Sequence, residues 1–200
     1  MIFTAAFILG GCLVSAIPFS LLLNKVYVYF REVYKETRPH MYVSFAPFIY
    51  ILEQILEFFK GFCILYFSTL YIEFDSLYLC SLIVFVCAHN FSPFLKFKNQ
   101  GTFFIFLWGC FTAIYLPFIL IYPLLFVLFS LLLHSFIYGQ LLSVLILFYF
   151  NYFFGLSEIY YYVYLLFLIV ILLSYGNLII QSINGKKSIT IWTSFQKRLL

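Results

Sequence analysis

Apolar runs close to bilayer-crossing length, parted only by short polar breaks, follow one another along nearly the whole of this chain. A spanning helix needs about 20 such residues, a few fewer where the bilayer thins. The breaks predict spans at 2–23, 46–72, 77–92, 102–119, 121–137, 139–155 and 158–181. Pro117, Pro123 and Gly139 mark the boundaries of the fourth to sixth. Proline also sits inside membrane helices, so six or eight spans fit the same pattern. The first run lacks a basic leader and passes into further spans, so it reads as a retained helix. The expectation is an all-α, polytopic membrane helix bundle of about seven transmembrane helices, one integral membrane domain over residues 1–200 with a basic tail at 182–200. Composition points to the same solvent. Of 200 residues 66% are hydrophobic and 9% charged, where an ordinary globular domain carries about a quarter charged residues.

Charge sets the expected orientation, because Lys and Arg gather on cytoplasmic connections while acidic residues have little say. Lys25, Arg31, Lys35 and Arg38 fall in the first connection, Lys96 and Lys98 in the third, and Lys186, Lys187, Lys197 and Arg198 in the tail. Seven spans put all three regions on one side. The connection holding Glu73 and Asp75, and the one before Glu158, contain no base and fall on the other. The N-terminus is therefore expected outside and the C-terminus in the cytoplasm. Such a chain is a multi-pass protein of the plasma membrane, with membrane lipids as its constant partners.

Several function classes drop out. The 29 Phe and 18 Tyr do not interleave with basic residues as they would on a nucleic-acid surface, so no nucleic acid is expected. Cys12, Cys63, Cys80, Cys87 and Cys110 lie in apolar runs without a CxxC spacing, and His40, His89 and His134 form no ligand motif. Neither metal nor other cofactor is expected. His134, in an apolar run, reads as a hydrogen-bonded packing residue. Glu53, Glu57 and Lys60 are the ionisable residues inside a predicted span, away from its ends. Their i, i+4 and i, i+3 spacings put them on one helix face. Two readings stay open: a polar stripe lining a substrate cavity, as in a small transporter component, or a neutralised internal ion pair on a helix whose first turns lie at the interface.

The stretch 88–101, Ala-His-Asn-Phe-Ser-Pro-Phe-Leu-Lys-Phe-Lys-Asn-Gln-Gly, closes the third span and enters a basic connection. A histidine at a helix end, two lysines and a glycine-bearing turn outline an anion site; positive-inside topology alone also accounts for the lysines. The string resembles the Gly-His-x-Phe-x-Pro-Phe-Leu-x-Phe-Lys signature of the acyl-phosphate-dependent glycerol-3-phosphate acyltransferases, the PlsY-type family of bacterial membranes. Ile17-Pro18-Phe19 with Lys25 and Arg31-Glu32-Val33 resembles that family's first helix and the opening of its first loop. Leu56-Glu57-Phe58-Phe59-Lys60-Gly61 resembles the Leu-Asp-x-x-Lys-Gly segment of its second helix. The departures are specific. Lys35-Glu36-Thr37 stands where the family has Ser-Gly-Asn, and Asn99-Gln100-Gly101-Thr102 where it has Gly-Gly-Lys-Gly. Near the C-terminus Lys187 stands where a glutamate follows the signature glycine, here Gly185, and Asn177 matches the signature asparagine with a one-residue shift.

The resemblance implies transfer of an acyl group from acyl phosphate to the 1-hydroxyl of glycerol 3-phosphate, a step of phospholipid biosynthesis. It implies phosphate contacts from Arg31 and Lys98, close backbone approach at Gly101, and a catalytic His89 that orients or deprotonates the attacking hydroxyl. The replaced motifs imply the alternative, a relative that keeps the scaffold to bind lipid or a membrane partner without catalysis.

Overall fold

The structure, a computed structural model, describes residues 2–34, 39–72, 75–92, 94 and 103–183. The described chain is helical throughout, without strands. Its elements are α1 (Ile2–Ala16), α2 (Phe19–Tyr34), α3 (Pro39–Tyr71), α4 (Asp75–Asn90), α5 (Phe103–Ile114), α6 (Phe118–Leu132), α7 (Phe136–Phe153) and α8 (Ile159–Ile183). The basic tail falls outside the described residues from 184 onward, as do Lys96 and Lys98.

Helices α7 and α8 are each long and apolar enough to cross a bilayer, with mean hydropathies of 1.5 and 2.0 over 18 residues. The pair α1–α2 qualifies as a third if its two halves, bent by 47°, form one broken span. Helices α4, α5 and α6 are apolar but shorter. At 33 residues α3 is the longest, yet it carries Glu53, Glu57 and Lys60 along its middle. Outward-facing surface is apolar to match: Leu120 is 75% exposed, Leu124 70% and Leu173 69%. Water would not tolerate so much contiguous apolar surface, whereas lipid tails solvate it. The chain is thus a helical, membrane-associated protein.

Helices occupy most of each predicted span, but only α7, α8 and the bent α1–α2 pair reach crossing length and hydropathy, and three of the breaks differ from expectation. The first predicted span, 2–23, is interrupted at Ile17 and Pro18 and resumes as α2. Pro123, expected near a boundary, lies within α6. A proline there removes the donor for the carbonyl four residues earlier. That carbonyl, Ile119 O, is taken instead by the indole N–H of Trp108 on α5 at 2.9 Å. Gly139 also lies inside a helix, α7, and the break falls just before it, at Leu133 to Ser135. Here the Ser135 N–H bonds Ser130 O at 3.1 Å and the His134 N–H bonds Leu131 O at 3.4 Å, closing α6 in a Schellman turn. His134 takes the left-handed position, φ 49°, that glycine usually fills. It is an exposed turn residue rather than the packed one expected from its apolar surroundings.

The core runs between α3, α4, α5 and α8, with Leu65, Leu82, Phe85, Phe106, Phe111 and Phe167 at its centre. Its tightest seam joins α3 to α5. A Cβ on Gly61 would strike the Phe106 carbonyl, and one on Gly109 the Phe58 carbonyl, so each helix presents a glycine to the other's backbone. Small residues permit this approach where lipid supplies no hydrophobic drive for helix pairing.

Candidate functional site

The break at Pro18 is the foundation of the site. The Leu21 N–H turns to Pro18 O at 3.1 Å, where a continuous helix would have directed it to Ile17 O. Freed carbonyls inside an apolar bundle must find other donors. Lys60 Nζ, on α3, donates to Ile17 O at 3.0 Å. Ser92 Oγ, just beyond α4, donates to Ala16 O at 2.5 Å.

Lys60 is buried, and its ammonium is matched on three sides. Glu57 Oε2 stands 2.6 Å from Nζ, one helical turn earlier on α3. The Ile17 carbonyl takes a second proton, and the Phe19 ring lies 5.2 Å below. A buried ion pair needs such additional partners, because desolvation of two charges otherwise outweighs their attraction.

His89, in the last turn of α4, completes the cluster. Its Nδ1 faces Glu57 Oε2 at 3.6 Å, too long for a hydrogen bond. The ring lies nearly parallel to Phe106 of α5, with centroids 4.1 Å apart and an 11° tilt. Phe103 stacks more loosely at 5.9 Å. Phe106 thus belongs both to the glycine seam, through its backbone against Gly61, and to the stack on His89, through its ring. The imidazole is fully buried, and both ring nitrogens lack a hydrogen-bond partner. Next to it, the Asn90 side-chain amide donates to Ser174 Oγ and ties α4 to α8. Ser174 in turn donates to Val170 O at 2.6 Å.

Three of the residues singled out in the sequence, Glu57, Lys60 and His89, therefore meet. Glu53 lies half-buried one turn before Glu57 on α3, and Arg31 is exposed in the last turn of α2. Lys98 and Gly101 fall outside the described residues. Sequence reasoning missed Asn90, Ser92 and Ser174. Asn90 and Ser92 sit within the quoted signature, where polarity at a helix end was the available signal. Nothing distinguishes Ser174 from other serines of apolar helices.

Chemically, the cluster combines an internally compensated ion pair with an aromatic-stacked imidazole, at the end of α4 from which a basic connection departs. No protein-family model, curated protein or solved structure matches the chain.

Proposed function

We propose that this chain is a seven-span acyltransferase-like protein of the plasma membrane, with its N-terminus outside and its C-terminus cytoplasmic, that moves an acyl group from acyl phosphate to the 1-hydroxyl of glycerol 3-phosphate. One observation carries the reading: Ile17-Pro18-Phe19, Glu57 to Gly61 and His89 to Ser92, far apart in sequence, converge on one spot through Lys60 and Ser92. These are segments on which the resemblance to the acyl-phosphate-dependent enzymes rests.

The reaction forms a bond from the glycerol oxygen to the acyl carbon and breaks the bond from that carbon to the phosphate oxygen. The hydroxyl proton leaves, and inorganic phosphate departs. With Nδ1 turned toward Glu57, the neutral His89 ring leaves Nε2 as the nitrogen that takes this proton. Lys60 compensates Glu57, so the carboxylate facing the ring adds no net charge to the interior, and stacking on Phe106 holds the ring. Arg31 and Lys98 serve as phosphate partners, with Gly101 letting the backbone approach. Phosphate esters on the cytoplasmic face suit connections that carry the bases.

The protein in liposomes, given acyl phosphate and labelled glycerol 3-phosphate, is expected to form lysophosphatidate. His89→Ala is expected to slow it by about a hundredfold or more. Absence of product from well-folded protein would decide for the lipid- or partner-binding relative, the reading favoured by Asn99-Gln100-Gly101-Thr102 in place of a glycine-lysine turn.

A further inference from the structure

Three helices of the bundle stop at nearly the same length. Helix α1 has 15 residues, α4 16 and α6 15, which at 1.5 Å per residue gives about 22–24 Å. Tertiary contacts bring the ends of α1, α4 and α8 to common levels. At one level, Asp75 of α4 lines a cavity together with Ser157 and Tyr160 at the start of α8. At the other, Asn90 donates to Ser174 of α8, and Ser92 donates to Ala16 O at the close of α1. Helix α8 therefore passes from one level to the other within residues 159–174, again about 22 Å, before running on to Ile183. Lys60 marks the second level on α3, since it bonds Ile17 O directly after α1. Helix α5 is shorter still, with 12 residues.

An ordinary hydrocarbon core is about 30 Å thick, so helices of this length fall roughly 6–8 Å short of crossing it, and any tilt widens the shortfall. The chain turns at these levels instead of continuing. Helix α1 gives way to α2 at a bend of 47°, and α6 turns back in the Schellman motif at His134. Asp75 and Glu158, at the first level, are exposed charges that resist being drawn into hydrocarbon. Apolar surface keeps to the same height. Beside α6 it begins at Leu116, 68% exposed, and ends at Leu133, 45% exposed. A helix longer than its bilayer can tilt or run past the headgroups, as α3 and α8 are able to do, whereas a short one makes the bilayer thin around it. We infer that this bundle is built for a thin bilayer, its lipid partner a phospholipid with short acyl chains that forms a thinned annulus around α1, α4 and α6. The inference rests on the spanning part of the proposed reading and not on acyl transfer.

The full chain is reconstituted into vesicles of dimyristoleoyl-, dioleoyl- or dierucoylphosphatidylcholine, which share a headgroup and differ in thickness, and its unfolding by guanidinium chloride is read at equilibrium. At one denaturant concentration the ratio of unfolded to folded protein is expected to be lowest in the dimyristoleoyl lipid and about tenfold higher in the dierucoyl lipid. Lysine substitutions along α6 read the same band from the protein side. In the dimyristoleoyl lipid, Leu116→Lys and Leu133→Lys should raise the ratio by about threefold at most, because the ammonium reaches the interface. Leu124→Lys, at a position 70% exposed in mid-helix, should raise it by about a hundredfold. If Leu124→Lys does not fold, the three-lipid series decides alone. A ratio equal in the three lipids, or lowest in the dierucoyl lipid, overturns the proposal, as does Leu116→Lys or Leu133→Lys proving as disruptive as Leu124→Lys. Maleimide labelling of Asp75→Cys and Lys98→Cys in the same vesicles keeps the two readings apart. Opposite sides with no thickness preference removes the thin bilayer alone, whereas one side for both removes the spanning bundle with it.

Discussion

Lys60 and Glu57 sit among aromatic and aliphatic side chains, where each charge is tolerable only beside the other. Removing one partner of a buried pair strands the other and destabilises by about 3–5 kcal/mol, whereas replacing both with apolar groups is often neutral. Glu57→Gln is therefore expected to lower stability by about 3 kcal/mol. The double variant Glu57→Leu with Lys60→Met should recover much of that loss, though not all, because Ile17 O then loses its donor. Unfolding of the three proteins in mixed micelles measures this. A double variant no more stable than the single one would show that the attraction between the two side chains is not what holds them. The same residues bear on function through His89, whose Nδ1 faces the Glu57 carboxylate.

Among the helices, two prolines show how backbone accounting decides the path of the chain. Pro123 leaves α6 intact because the Trp108 indole satisfies the orphaned Ile119 carbonyl. Trp108→Phe keeps the ring and deletes that donor, so a loss of about 1–3 kcal/mol is expected in the melting of the protein. No change in melting would mean that the carbonyl is satisfied some other way. The α3–α5 seam is the second test at this scale. Gly109→Leu forces a side chain against the Phe58 carbonyl and the Phe62 amide, and overpacking of this kind destabilises by about 1–3 kcal/mol or more. It should also displace Phe106 from the His89 ring, readable as a change in the imidazole NMR resonances. Unchanged resonances would sever the seam from the site. Helix limits were largely legible in sequence: the span expected at 158–181 is α8, Ile159–Ile183, and that at 77–92 is α4, Asp75–Asn90. Polar residues at bilayer edges leave a plain signal. Whether a proline breaks its helix left none, because the answer lies in partners distant in the chain, Trp108 for Pro123 and Lys60 with Ser92 near Pro18. The shared face of Glu57 and Lys60 was readable from helical periodicity. The approach of His89 and the Asn90–Ser174 tie were not, since both need the relative placement of α3, α4 and α8.

At the scale of the molecule, the eight helices of the described residues fold around one aromatic core and turn apolar side chains outward, with the His89 cluster and Asp75 at opposite ends of α4. The proposed chemistry needs those ends to face different compartments, the basic connection that follows His89 in the sequence meeting cytosolic phosphate esters. Single cysteines at Lys25, Lys98, Lys187, Asp75 and Glu158, placed in a background lacking the native cysteines, can be labelled by a membrane-impermeant maleimide from either side of sealed vesicles. The account predicts that Lys25→Cys, Lys98→Cys and Lys187→Cys react from the cytoplasmic side alone, and Asp75→Cys and Glu158→Cys from the outer side alone. Labelling of Lys98→Cys from the same side as Asp75→Cys would contradict it.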